Sequence, residues 1–281
     1  MTFTNAVTRT IDVNGTPFVF REIGERRGVP VIFLHHLTAA LDDWDPRTAD
    51  GLAQNHPVII FDNRGVGGSK GVTPDNVEDM ARDAIAFITA LGLKQVDLLG
   101  FSLGGFVAQV VAQQCPDLVR RIILAGTSAA GGEGIINVGT VLQNSITKAG
   151  IERKHEKQFL FFSQSNEGQA ASVEFLQRLR AREKDRDTAV TNETIVAQLT
   201  AITQWGLAPA TTSLSNIQHP VLVVNGDNDV MVPTINSVDL ARKLPHAQLS
   251  IFPDAGHGAI FEYHEAFLEQ ALRFLKHETT D

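Results

Sequence analysis

The chain has 281 residues, of which 43% are hydrophobic, and a formal net charge of −8 at pH 7. This length allows one large domain or one domain with an insertion, and the acidic balance disfavours nucleic-acid or anionic-membrane partners. The single cysteine, Cys115, excludes an intrachain disulfide and a thiolate metal cluster. No signal-like N-terminus and no run of about 18 apolar residues is seen, so the expectation is a cytoplasmic protein without a membrane partner.

Short apolar runs recur along the chain, in the order FVFREI, VIFL, VIIF, VDLLG, RIILAG, VLVVNG and QLSIF. Several are continuous and β-branched, which is typical of strands buried on both faces of a mostly parallel sheet. Helical patterns lie between them. One begins after Asn76, a candidate N-cap, and another includes Phe261, Leu268, Leu272 and Leu275. The alternation predicts an α/β fold with helices on both faces of the sheet.

This alternation breaks between about residues 128 and 215. The region opens with TSAAGGEG and closes with GLAPATTSLSN, and both segments are rich in turn-forming residues. Its charged runs, TKAGIERKHEKQ and QRLRAREKDRD, are interpreted as solvated helix faces, with aromatic and aliphatic residues on the opposite side. We therefore predict a helical insertion at 128–215 in a core formed by residues 1–127 and 216–281.

A G-x-S-x-G motif occupies residues 100–104, between the VDLLG strand and a helical pattern. The chemistry needs this spacing, because a sharp turn lifts the serine hydroxyl off the sheet and small neighbours let the backbones approach. The helix that follows places free N–H groups where an oxyanion would form. Ser102 is the candidate nucleophile, and the alternative is a glycine-rich turn into an ordinary helix.

A serine nucleophile requires a base, and the base requires a group that fixes its tautomer. Downstream strands are followed by GDND, which offers Asp227 and Asp229, and by DAGHG, which offers His257. The alternative interpretation is that His257 is only a turn residue. The order serine, aspartate, histidine is that of the α/β-hydrolase fold.

The chain resembles α/β-hydrolase-fold serine hydrolases in GFSLGG at 100–105, GDND at 226–229 followed by VP at 232–233, and DAGH at 254–257. The loop FDNRGVGGS at 61–69 resembles the family's D-x-R-G-x-G-x-S segment. The matches run from about residue 31 to 265 and leave out only the insertion. They imply a twisted, mostly parallel sheet of about eight strands, with 128–215 as a helical lid over the serine.

The resemblance also implies site roles. Asp229 occupies the position of the family's acid, so Asp227 is interpreted as a turn residue. Residues 35–37 match an H-G-x turn, which predicts the backbone N–H groups of Leu37 and Leu103 as oxyanion donors. The loop residues Asp62 and Arg64 are interpreted as a structural pair.

Two adjacent histidines, His35 and His36, stand in that turn. His35 is expected to brace it by hydrogen bonding. His36 replaces the usual glycine, and two hypotheses stay open: it tolerates the glycine's backbone angles, or its imidazole contacts substrate or the oxyanion. A metal role has little support, because adjacent side chains diverge and no ligand spacing accompanies them.

The expected activity is hydrolysis of a small carboxylic ester or lactone through an acyl-enzyme, with no cofactor and no metal. The loops are loosely similar to those of enol-lactonases and esterases. Alternatives are a carbon–carbon bond hydrolase or a cofactor-free haloperoxidase or oxygenase on the same triad, and, from another class, a small-molecule receptor. Phe162 and Trp205 of the insertion are candidate substrate contacts. The expected partner is a small molecule, and the expected state is monomer or homodimer.

Overall fold

A computed structural model of the protein describes residues 1–209 and 214–276. Eight strands form one sheet: β1 Arg9–Val13, β2 Thr16–Ile23, β3 Val31–Leu34, β4 Val58–Phe61, β5 Val96–Phe101, β6 Val119–Ala125, β7 Val221–Gly226 and β8 Ala247–Phe252. Each of the seven apolar runs forms a strand, with only Gly126 at the end of RIILAG lying beyond it, which confirms those predictions. The first strand, β1, was not predicted. It is joined to β2 by Asn14 and Gly15, both with positive φ, as an Asn-Gly hairpin turn requires.

Ten α-helices lie within the described ranges: α1 Pro46–Ala53, α2 Val77–Ala90, α3 Leu103–Gln114, α4 Val138–Glu152, α5 Lys157–Leu160, α6 Asn166–Leu179, α7 Asn192–Leu207, α8 Ile235–Lys243, α9 Ala259–Glu262 and α10 His264–Lys276. Helix α2 begins as predicted, because the Asn76 side chain accepts a hydrogen bond from the Asp79 N–H at 2.8 Å. The C-terminal pattern divides between α9, which contains Phe261, and α10.

The sheet order is β1-β2-β4-β3-β5-β6-β7-β8. The pairs β1–β2 and β2–β4 are antiparallel, and every pairing from β4 to β8 is parallel. Successive strand residues point to opposite faces, and every residue of β3, β4, β5 and β7 is buried. Both faces of the sheet are therefore covered, as predicted.

The strand order reverses around β3, which lies between β4 on one side and β5 on the other. Ligands of open α/β sheets bind at the carboxyl ends of the strands where such a reversal occurs. Leu34, the last residue of β3, is paired with Gly100 of β5. The turn at 35–38 and the G-x-S-x-G turn are thus brought side by side at this edge.

The region between β6 and β7 holds helices α4 to α7. Residues 210–213, in the predicted junction, lie outside the described residues. The interpretation of its charged runs as solvated faces is wrong at two positions, because Lys157 is 7% exposed and Arg182 is 4% exposed. Lys157 pairs with Asp43 of the core, and Arg182 donates to the carbonyls of Phe3 and Thr4. Tertiary partners on the core explain the burial of both cations.

Candidate active site

Ser102 stands on a strained turn between β5 and α3. Its φ of 56° and ψ of −118° lie in a region that side chains disfavour, and the residue is buried. The flanking glycines make this turn possible, since a side chain at Gly100 would collide with the carbonyl of Gly104, and one at Gly104 with the carbonyl of Leu34. The turn holds Ser102 directly at the N-terminus of a helix.

His257 and Asp229 form a buried pair in the loops that follow β8 and β7. The distance from His257 Nδ1 to Asp229 Oδ2 is 2.7 Å. The other carboxylate oxygen of Asp229 accepts the N–H groups of Met231 at 2.8 Å and Val232 at 2.9 Å. The carboxylate orients the ring so that Nδ1 carries the proton and Nε2 is an acceptor, which is the tautomer that a general base needs.

Asp227 occupies a different environment from Asp229. It is exposed, and its side chain accepts a hydrogen bond of 3.3 Å from the N–H of Ala255. This contact ties together the loops after β7 and β8, in agreement with a turn role. The structure joins His257 to Asp229 and not to Asp227.

His35 braces the turn after β3, which confirms the prediction. The indole N–H of Trp44 donates to His35 Nδ1 at 2.8 Å, and His35 Nε2 lies 3.5 Å from Asp62 Oδ1. Burial lowers the pKa of His35 to about 4, so the ring is neutral at neutral pH.

Asp62 and Arg64 are structural, but they do not pair with each other. The two Asp62 oxygens accept the N–H groups of Leu41 and Gly68, whereas Arg64 donates to Asp83 of α2 at 2.8 Å. Each residue fixes its loop through a different neighbour.

His36 is also buried, but it faces the nucleophile. A cavity of about 20 Å³ is lined by residues that include His36, Leu37, Ser102 and His257. The distance from His36 Nδ1 to the carbonyl oxygen of Leu37 is 2.7 Å. Burial, reinforced by the charge of Lys157, lowers the pKa of His36 to about 3. The ring is therefore neutral and in contact with the site.

The backbone N–H groups of Leu37 and Leu103 are free to receive an oxyanion. Neither donates a hydrogen bond to any residue within 1–209 or 214–276. Leu103 is the first residue of α3, where helical geometry leaves the N–H without an intrahelical partner, and Leu37 lines the cavity. Their location suits the predicted role.

A second cavity of about 540 Å³ adjoins the first, and both are lined by Thr38, Leu142, Glu156 and Lys157. The Lys157 ammonium lies 2.5 Å from the carboxylate of Asp43. Burial by itself would raise the pKa of Asp43, but the charge and hydrogen bond of Lys157, together with smaller contributions that include the N–H of Ala40, lower this pKa to about 2. The larger cavity is also lined by Asp42, Asp187 and Arg186, so its wall carries side chains of both charge types.

Phe162 and Trp205, the predicted substrate contacts, do not line the cavity beside Ser102. Phe161, and not Phe162, lines the cavity beside Ser102. Phe162 packs on Phe175 with ring centroids 5.3 Å apart, and Trp205 stacks on Phe106 at 5.1 Å. Adjacent positions of an irregular segment point in different directions, so sequence alone could not choose between Phe161 and Phe162.

Sequence reasoning also missed Lys157 as a cavity residue, because a charged run carries no sign of which cation is buried. Among the described residues, no group of three or more His, Cys, Asp or Glu side chains is arranged to hold a metal ion. No helix in the described part of the chain is long and apolar enough to cross a membrane.

Comparison with known proteins agrees with this architecture. Residues 29–263 match the alpha/beta hydrolase fold family, and the chain belongs to that family. A solved alpha/beta hydrolase fold protein from Chitinophaga pinensis has a TM-score of 0.95 and 42% sequence identity, covering 99% of this chain and 100% of that chain.

Two further relatives carry names that suggest activities. BpoC of Mycobacterium tuberculosis, named for non-heme bromoperoxidase activity, is 28% identical over 260 residues, which cover 88% of this chain and 94% of that protein. The enol-lactonase from Burkholderia xenovorans LB400 has a TM-score of 0.73 and 18% identity, covering 96% of this chain and 100% of that chain. At that identity the likeness is one of fold alone.

Proposed function

We propose that the protein is a serine hydrolase that cleaves small carboxylic esters or lactones through an acyl-enzyme. One observation carries the proposal: Ser102, on its strained turn, shares a buried cavity with His257, whose Nδ1 lies 2.7 Å from Asp229. An imidazole held in this orientation by a carboxylate can accept a proton, and a serine hydroxyl needs such a base.

In this mechanism the Ser102 hydroxyl attacks the carbonyl carbon while His257 Nε2 takes its proton. The N–H groups of Leu103 and Leu37 stabilise the resulting oxyanion. His257 then protonates the leaving alcohol, and Asp229 stabilises the imidazolium that forms in between. A water molecule, activated by the same histidine, releases the acid and restores Ser102. Apart from the substrate and one water molecule, these steps use side chains and backbone groups of this chain.

We also propose that residues 128–215 act as a lid. They contribute Leu142, Glu156, Lys157, Leu160 and Phe161 to the cavity lining, and the N–H groups of the His257 loop donate to carbonyls of the same segment. The inner cavity of about 20 Å³ lies beside Ser102, and the adjoining one of about 540 Å³ offers room for a substrate.

A haloperoxidase reaction on the same residues is a second candidate, because BpoC bears that name. A receptor role would leave Ser102 reactive without turnover. Relatives of the same fold perform different chemistries, so fold alone does not choose between these functions.

The test is an activity screen over acyl esters, lactones and β-diketones, with a halide-oxidation assay, on wild type and Ser102→Ala in parallel. We expect wild type to hydrolyse esters or lactones, Ser102→Ala to be inactive, and a fluorophosphonate to label Ser102. Labelling without turnover of any ester would favour the receptor, and cleavage of β-diketones alone would favour carbon–carbon hydrolysis.

A further inference from the structure

His36 holds a ring nitrogen that the serine-hydrolase mechanism does not use. The side chain is 3% exposed and lines the cavity with Ser102 and His257. Its Nε2 is buried and has no hydrogen-bond partner among the described residues. A buried polar atom without a partner costs free energy, which makes this nitrogen a feature to be explained.

The contact at the other ring nitrogen settles what Nε2 can do. His36 Nδ1 lies 2.7 Å from the carbonyl oxygen of Leu37. A carbonyl oxygen only accepts, so Nδ1 must carry the proton. A neutral imidazole has one N–H, and Nε2 therefore carries an unpaired lone pair on a ring that lines the cavity. Of the two roles considered for the imidazole, donation to the oxyanion is excluded in this tautomer.

Aromatic neighbours hold the ring in place. Phe101 of β5 and Phe161 both meet it edge-to-face, with ring centroids 5.1 Å and 5.3 Å away and interplanar angles of 68° and 83°. Phe161 is itself anchored, since its carbonyl accepts the N–H of Gly258 at 2.9 Å. The ring is thus held between two aromatic side chains in the cavity that it shares with Ser102, Glu156 and Lys157.

We propose that His36 Nε2 is a dedicated hydrogen-bond acceptor that selects esters or lactones carrying a hydroxyl or amide N–H close to the scissile carbonyl. A substrate with such a donor satisfies the buried nitrogen, whereas an analogue without it leaves the nitrogen unpaired. Sites built around a buried polar group discriminate strongly against analogues that lack the matching group. The proposal rests on the proposed function, because it names the substrate class for the same site.

The kinetic test uses p-nitrophenyl esters of 2- and 3-hydroxybutyrate, each paired with its methoxy analogue, which accepts but cannot donate. We expect wild type to prefer one hydroxy ester over its methoxy partner by about 10- to 100-fold in kcat/KM. Ratios near one for both pairs, in an enzyme that hydrolyses these esters, would overturn the proposal and leave the proposed function standing.

Two variants test the contributions of the two His36 ring nitrogens separately. His36→Asn can keep a donor near the Nδ1 position but has nothing at Nε2, so the hydroxy-to-methoxy ratio should fall to about one. His36→Gln places an amide oxygen near the Nε2 position and should retain part of the preference. A His36→Asn variant that keeps the full ratio would contradict the proposal, whatever its overall rate.

A binding measurement covers the case in which no ester is turned over. In ¹⁵N-labelled Ser102→Ala, the His36 ring resonances should show Nδ1 protonated and Nε2 unprotonated. Adding α- or β-hydroxy-γ-butyrolactone should shift the Nε2 resonance, and the matching methoxy lactones should not. A protonated Nε2 in the free protein, or equal shifts with both kinds of lactone, would refute the acceptor role.

Discussion

At the residue scale, the serine, histidine and aspartate are expected to work as one unit. We predict that Ser102→Ala or His257→Ala lowers kcat by a factor on the order of 10⁴–10⁶, and that the double variant is little worse, because each needs the other. Asp229→Asn should cost about 10³–10⁴, since the amide favours the wrong tautomer of His257. Steady-state kinetics on the best ester from the screen measures all four variants.

Asp227→Asn is the matched control for the acid. Its side chain is exposed and contacts the Ala255 N–H, so the change should leave kcat within a few-fold of wild type. If Asp227→Asn were inactive and Asp229→Asn active, the assignment of the acid would be reversed.

The paired histidines are expected to bind no catalytic metal. His35 Nδ1 accepts from Trp44 and His36 Nδ1 donates to Leu37, so the two rings are committed to different neighbours. We predict that dialysis against EDTA leaves kcat/KM unchanged. Loss of activity on chelation, with recovery on added zinc, would contradict the prediction that no catalytic metal is bound.

At the element scale, Asp45 connects a helix to the proposed lid. It caps α1 by accepting the N–H of Arg47, and both of its oxygens receive the guanidinium of Arg178 from α6, at 2.7–3.2 Å. Asp45 is fully buried. Asp45→Ala removes the cap and the buried carboxylate that accepts from Arg178, which keeps only its 3.6 Å contact with Glu174, so we predict a loss of about 2–3 kcal/mol in the free energy of unfolding.

Urea denaturation measures this loss, and Asp239→Ala supplies the control. Asp239 pairs with Lys243 on the surface of α8 at 3.6 Å, with both side chains about half exposed. Such pairs contribute little, so this variant should stay within about 0.5 kcal/mol of wild type. Equal losses for the two variants would mean that Asp45 is not a connecting residue.

At the scale of the whole molecule, two carboxyls join the region between β6 and β7 to the core. The N–H of Leu41 donates to both Asp62 and Asp187 at 2.9 Å. Burial raises the pKa of Asp62 to about 7, and burial together with the neighbouring Asp62 raises that of Asp187 to about 7. The pair is surrounded by neutral His35, by Arg21 and by Asp42, whose side chain accepts the Asp187 N–H.

A raised carboxyl pKa means that the folded state binds protons more tightly than the unfolded chain does. The stability that this pair contributes is therefore fully present below about pH 4 and is lost as pH rises to about 7. We predict that wild type loses more thermal stability between pH 5 and pH 8 than Asp187→Asn, which cannot ionise. If the Tm of wild type and of Asp187→Asn changed in parallel with pH, the predicted effect of this carboxyl pair on stability would be wrong.

The local patterns of the sequence were sufficient for much of the fold. Continuous apolar runs predicted seven strands because buried parallel strands need apolar residues on both faces, and Asn76 predicted the start of α2. The strand β1 was missed, although Asn14 and Gly15 signal its hairpin. The motif at 100–104 predicted the strained turn at Ser102, since only glycine fits beside it.

Tertiary structure decided the features that depend on contacts between distant segments. The choice of Asp229 over Asp227 as the partner of His257 is visible as a 2.7 Å distance, whereas the sequence alone offered two carboxylates two residues apart. The burial of Lys157 depends on Asp43, 114 residues away along the chain. Local periodicity indicates which face of an element is apolar. Hydrogen bonds and ion pairs between loops depend instead on how the elements pack. The unpaired ring nitrogen of His36 depends on that packing as well.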